Sequence, residues 1–124
     1  MKCMEKLKGL AMAQIINKIG DSISWKIKYM QSDNITPVDL TGYTIDIDAY
    51  HKVTKALLFN VSTNDITSNQ YVSVDSVSSG EFIVVIKDTS EFIAGDYLVD
   101  IEYTDIQGFR KSSKSFGLKV VERL

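Results

Sequence analysis

The sequence predicts an all-β protein, one antiparallel sandwich of about seven or eight strands in a single domain. Three observations carry that expectation. Apolar and polar residues alternate at period two through most of the chain, helical periodicity is scarce, and turn residues punctuate the alternating stretches at regular spacing. At 124 residues the chain is long enough to bury one real core. Its 44% apolar and 24% charged residues lie near globular averages, which argues against disorder.

Taken in order, residues 13–19 read as a first strand. Ile23, Trp25, Ile27 and Tyr29 then alternate with Ser24, Lys26 and Lys28, so this second strand is half buried. Beyond the polar stretch Gln31-Ser32-Asp33-Asn34 and the breaker Pro37, Tyr43, Ile45, Ile47 and Ala49 alternate with Thr44, Asp46, Asp48 and Tyr50. Leu57, Phe59 and Val61 suggest another strand. Residues 62–70 are rich in Ser, Thr and Asn and read as loop, and residues 71–77 as a short edge strand.

Phe82 to Ile86 is apolar without interruption, so both of its faces need cover and it is expected to be central or at an interface. Tyr97, Val99, Ile101 and Tyr103 alternate with Leu98, Asp100, Glu102 and Thr104. Asp105-Ile106-Gln107-Gly108 suits a type I turn followed by a left-handed glycine, hence a tight hairpin. The last strand changes phase. Arg110, Ser112 and Lys114 are polar, whereas Phe116, Leu118 and Val120 on the same even register are apolar, which calls for an exposed ribbon or a bulge.

Ile93-Ala94-Gly95-Asp96-Tyr97-Leu98-Val99 places a tyrosine just after a turn, with an apolar residue two positions on. This is the pattern of a tyrosine corner, with Tyr97 as its tyrosine. A closed barrel is the alternative for this many strands, and the tyrosine-corner pattern tilts the expectation to an immunoglobulin-like antiparallel β-sandwich.

The amino terminus has its own reading. Lys8-Gly9 requires a purine-rich coding run two codons before Met12, where a bacterial ribosome-binding site would stand. Residues 1–12 are therefore expected to be a flexible extension outside the fold, either lying upstream of a natural start at Met12 or forming a short disordered or helical tail of a chain that starts at Met1, and residues 13–124 to form the domain.

Chemistry is sparse. The net charge of −2 offers no field for a polyanion, so nucleic acid is not an expected partner. Cys3 is the single cysteine and His51 the single histidine, so neither a disulfide nor a zinc cluster can be assembled. His51 reads as a strand-end histidine rather than a general base, and no Gly-rich phosphate loop occurs. No catalytic, cofactor or metal residue is assigned, and the protein is not expected to be an enzyme.

The pairs Asp46 with Asp48 and Asp100 with Glu102 could offer oxygen ligands to calcium if Asp33 or Asn34 joined them, but a solvated polar face is the simpler reading. Tyr50, on the polar side of its strand, could stack on a sugar ring. The candidate interface is Ile83 and Val85, which need a cover if Phe82, Val84 and Ile86 face the core, with Leu98 extending the patch. No apolar run approaches the roughly 20 residues that span a bilayer, and no membrane partner is expected.

Gly20-Asp21-Ser22-Ile23-Ser24-Trp25, Pro37-Val38-Asp39-Leu40-Thr41-Gly42-Tyr43, Gly95-Asp96-Tyr97-Leu98-Val99-Asp100-Ile101, the Asp105 to Gly108 turn and Gly117-Leu118-Lys119-Val120 together resemble a group of small tailed-bacteriophage structural proteins. These are similar to the N-terminal immunoglobulin-like domain of phage baseplate upper proteins. The resemblance spans residues 13–121 and implies a virion structural protein of the tail, baseplate or connector region. Such a protein would be made in the host cytoplasm and present in many copies, bound to other virion proteins or to itself. The chain departs from larger baseplate proteins in having no long extension for fibre trimerisation or receptor binding. A capsid decoration protein and a carbohydrate- or cell-surface-binding module are the alternative expectations.

Overall fold

The computed structural model describes residues 3–7, 14–31, 33, 35–64, 66–112 and 116–123, the first of these segments as backbone. Strands β1 (Cys3–Leu7), β2 (Gln14–Lys18), β3 (Ile23–Gln31), β4 (Thr44–His51), β5 (Leu57–Ser62), β6 (Gln70–Ser76), β7 (Glu81–Ile86), β8 (Gly95–Thr104), β9 (Arg110–Ser112) and β10 (Phe116–Val121) make up two sheets. One sheet has the order β1-β3-β7-β6. The other has the order β2-β10-β8-β4-β5, with β9 paired to β8.

This is the immunoglobulin arrangement: β3, β7 and β6 face β10, β8 and β4, and β5 widens the second sheet. The leading part of the chain serves both sheets. β1 pairs antiparallel with β3, whereas β2 pairs parallel with β10. The expectation of a flexible extension outside the fold therefore differs from what is seen at Cys3–Leu7, which lies along the edge of β3 from Ile27 to Gln31.

The core follows from alternation. Ile23, Trp25, Ile27 and Tyr29 of β3 are buried, as are Phe82, Val84 and Ile86 of β7. Against them pack Ile45, Ile47 and Ala49 of β4 and Val99, Ile101 and Tyr103 of β8. Trp25 ties the layers together, because its ring meets Phe116 edge-on at 5.7 Å and Phe59 at 6.3 Å, both on the opposite sheet.

The phase change near the carboxyl end has a simple cause. Ser112 stands opposite Glu102 and Phe116 opposite Val99, so β9 and β10 advance four residues (112 to 116) while β8 retreats three (102 to 99). One extra residue turns the even positions from solvent to core. The hairpin between β8 and β9 takes the expected form, with Gly108 at φ 90° and its N–H donating to the Asp105 carbonyl at 3.0 Å.

Candidate functional site

Ile83 and Val85 lie on the outer face of the β1-β3-β7-β6 sheet, half buried. Lys26 and Ser73 stand opposite Ile83, and Ser24 and Tyr71 opposite Val85, so an apolar strip is set between polar strands. Lys26 reaches along this face, with its Nζ 3.2 Å from Asp75 and 4.0 Å from Glu81. Beside the strip, Ile66, Tyr71, Val72 and Lys87 help line an open cleft of about 460 Å³.

Leu98 does not extend this patch. β7 and β8 follow one another in sequence but belong to different sheets, so Leu98 faces outward on the opposite side of the molecule, between Tyr50 and Gly117. The expectation failed because alternation reports which side of a strand a residue takes, not which sheet the strand joins.

Tyr97 opens the buried part of β8, and its hydroxyl donates to the Ile93 carbonyl at 2.7 Å. That bond is the defining contact of a tyrosine corner. Burial pushes the Tyr97 phenol above its ordinary pKa, because the phenolate would be poorly solvated there. The Tyr97 ring also meets His51 edge-on at 5.4 Å. His51 ends β4 as expected, and its Nδ1 accepts from the N–H groups of Val53 and Thr54 at 3.1 and 3.2 Å, which fixes the ring as a turn cap.

The acidic pairs do come together. Asp46 stands opposite Glu102 and Asp48 opposite Asp100 on the outer face of the second sheet. The Asn60 amide donates to both Asp46, at 3.0 Å, and Asp48, at 2.5 Å, and the Tyr50 hydroxyl donates to Asp100 at 2.9 Å. These donors offset part of the repulsion between facing carboxylates. Asp33 is not among them. Its carboxylate accepts from Thr36 and from the backbone of Ile35, and these bonds hold its pKa below the usual carboxylate value, that to the Thr36 side chain most strongly. Asn34 lies outside the described residues. Among the described residues no three His, Cys, Asp or Glu side chains converge as a metal site would require.

Sequence reasoning missed the two ends of the sandwich. Ile106 and Phe109 project from the β8–β9 turn, 79% and 67% exposed. At the other end His51, Leu57, Ile93, Ala94 and Tyr97 help line a cleft of about 360 Å³. The signal was available at the first end, since Ile106 and Phe109 sit inside a turn motif where polar residues are usual. No protein-family model matches the chain, and no curated protein is significantly similar to it. Among the described residues no helix is long and apolar enough to cross a membrane.

Proposed function

We propose that the protein is a bacteriophage virion structural component, of the tail, baseplate or connector region, that works through protein–protein contacts. The observation that carries this reading is the Ile83 and Val85 strip, an apolar stretch on the outer face of a sheet whose inner face is already fully used by Phe82, Val84 and Ile86. Apolar residues in that position gain from being covered, and a sheet face covered by a neighbouring subunit needs no catalytic group. The sequence resemblance to phage structural proteins supplies the setting.

The sugar-binding alternative draws little support from Tyr50. Its hydroxyl is committed to Asp100, and Lys55 Nζ lies 5.7 Å from the centre of its ring, so the surface a sugar would stack on is shared with a cation. Immunodetection of the protein in purified particles tests the main reading. Label on the tail or its base is the expected result, label over the shell would make it a decoration protein, and absence from particles would overturn both. Ile83→Lys and Val85→Lys are expected to abolish incorporation while leaving the fold intact by circular dichroism.

A further inference from the structure

Among the described residues nine large apolar side chains stand open to solvent, and seven of them gather at the two ends of the sandwich. At one end lie Ile35, Val77, Ile106 and Phe109, in the β3–β4, β6–β7 and β8–β9 connections. These connections are held together. The Leu40 N–H donates to the Val77 carbonyl at 2.9 Å, and Gly42 sits so close to Ile106 that a Cβ on it would come within 3.0 Å of that side chain. Phe109 thus projects from a braced tip rather than a loose loop.

At the other end Val53, Leu57 and Ile93 are exposed, and Leu57 and Ile93 line the 360 Å³ cleft together with Leu58, Ala94 and Tyr97. The pairing of β4 with β8 fixes the geometry: the tip follows Thr104, opposite Thr44, and the cleft adjoins Tyr97, opposite His51. Knob and cleft therefore lie at opposite ends of the ten-residue β8, roughly 30 Å apart along the strand axis. A single molecule cannot bring them together.

We infer that the cleft receives the Phe109 and Ile106 tip of a second copy of this chain. Charge supports that occupant, because Arg110 stands at the base of the tip and Glu91 lines the cleft. An aromatic anchor entering a preformed apolar pocket is the arrangement that concentrates binding free energy at protein interfaces. Since the two surfaces differ, the contact is heterologous, and repetition yields a ring or an open string of domains rather than a closed twofold pair. The inference deepens the assembly reading by naming a partner, and it uses the ends of the sandwich, not the Ile83 and Val85 face.

Sedimentation of the purified full chain across a concentration series tests it. The expected result is mass that rises past the dimer as concentration increases. Phe109→Lys and Leu57→Lys should each be monomeric with unchanged melting curves, both positions being exposed. Mixed one to one, the two variants should form a heterodimer and nothing larger, because the first keeps a working cleft and the second a working tip. Glu91→Arg should weaken association at least several-fold, and adding Arg110→Glu in the same chain should restore it. A wild-type monomer at concentrations up to about 1 mM overturns the inference, as does a mixture that stays monomeric. Either failure leaves detection of the protein in particles as an independent test of the assembly reading.

Discussion

Tyr29 of β3 and Tyr103 of β8 stack face to face across the interior, ring centres 3.7 Å apart and planes within 5°. The two belong to different sheets, so their contact is made only when the sandwich closes. Phe82 adds a third ring, edge-on to Tyr103 at 6.0 Å. A double-mutant cycle through Tyr29→Leu and Tyr103→Leu is expected to return a coupling of about 1 kcal/mol beyond the loss of buried area. Additive single effects in urea denaturation would remove the stack from the stabilising contacts.

The Tyr97 bond to the Ile93 carbonyl gives a second test. Tyr97→Phe keeps the ring and deletes the donor, and should cost about 1 kcal/mol. Because burial raises the folded-state pKa of this phenol, its contribution is complete below the ordinary tyrosine value and fades as pH rises above it. The variant should therefore lose less stability than the wild type between neutral and strongly alkaline pH. Parallel alkaline limbs for the two proteins would contradict the assignment.

Thr89 is fully buried in the connection between β7 and β8, and its hydroxyl serves two masters: it accepts from the Gly20 N–H at 2.9 Å and donates to the Asp21 carbonyl at 2.8 Å. Arg123 holds the same turn from the other side through the Ile19 carbonyl and Asp21. Thr89→Val preserves the shape but strands both backbone groups, and should cost about 2 kcal/mol, whereas Thr89→Ser should retain most of the stability. Equal melting temperatures for the two variants would discount the hydroxyl.

Gly80 closes the β6–β7 turn at φ 66°, where a Cβ would lie 2.5 Å from the Tyr29 carbonyl oxygen and 2.8 Å from that of Val38. Both obstacles are backbone and cannot rotate away. Gly80→Ala is expected to destabilise by about 3 kcal/mol in denaturant titration, far more than the same change at Gly108, which meets nothing within 4 Å.

Asp33, Asp39 and Asp88 each accept from a side-chain hydroxyl and a backbone N–H within their own turns, bonds to Thr36, Thr41 and Ser90 that hold their pKa values below the ordinary range. A depressed folded-state pKa means stability that is whole above the unfolded value and is lost as pH falls through the folded one. Melting temperature should therefore drop as solutions are acidified past the usual carboxylate range. Replacing all three with Asn should flatten that acid limb, and an unchanged slope would exclude these turns as its source.

Much of this architecture was legible because its signals are local. Ile23 to Tyr29, Ile45 to Ala49 and Tyr97 to Tyr103 alternate cleanly, and each became the inner face of a strand. Asp105 and Gly108 carry their turn in their own backbone preferences. Leu98 was misplaced because sheet membership depends on where the chain crosses after Ile86, and no local pattern records it. The pairing of Cys3–Leu7 with β3 was equally hidden, since that segment shows no period-two alternation. The end clefts and tips escaped notice for a related reason: Leu57, Ile93 and Phe109 lie far apart in sequence, and only the completed fold sorts them to opposite poles.

The parallel pairing of β2 with β10 bears on what the domain does under load. Gln14 stands beside Gly117 and Lys18 beside Val121, so the two strands run in the same direction. Tension applied between residue 14 and residue 121 would pull them lengthwise past one another. Their shared hydrogen bonds would then carry the strain together in shear instead of opening one at a time like a zip. A subunit gripped at those two points would resist extension until the whole ladder failed at once, a useful property in any particle that must transmit force through its parts.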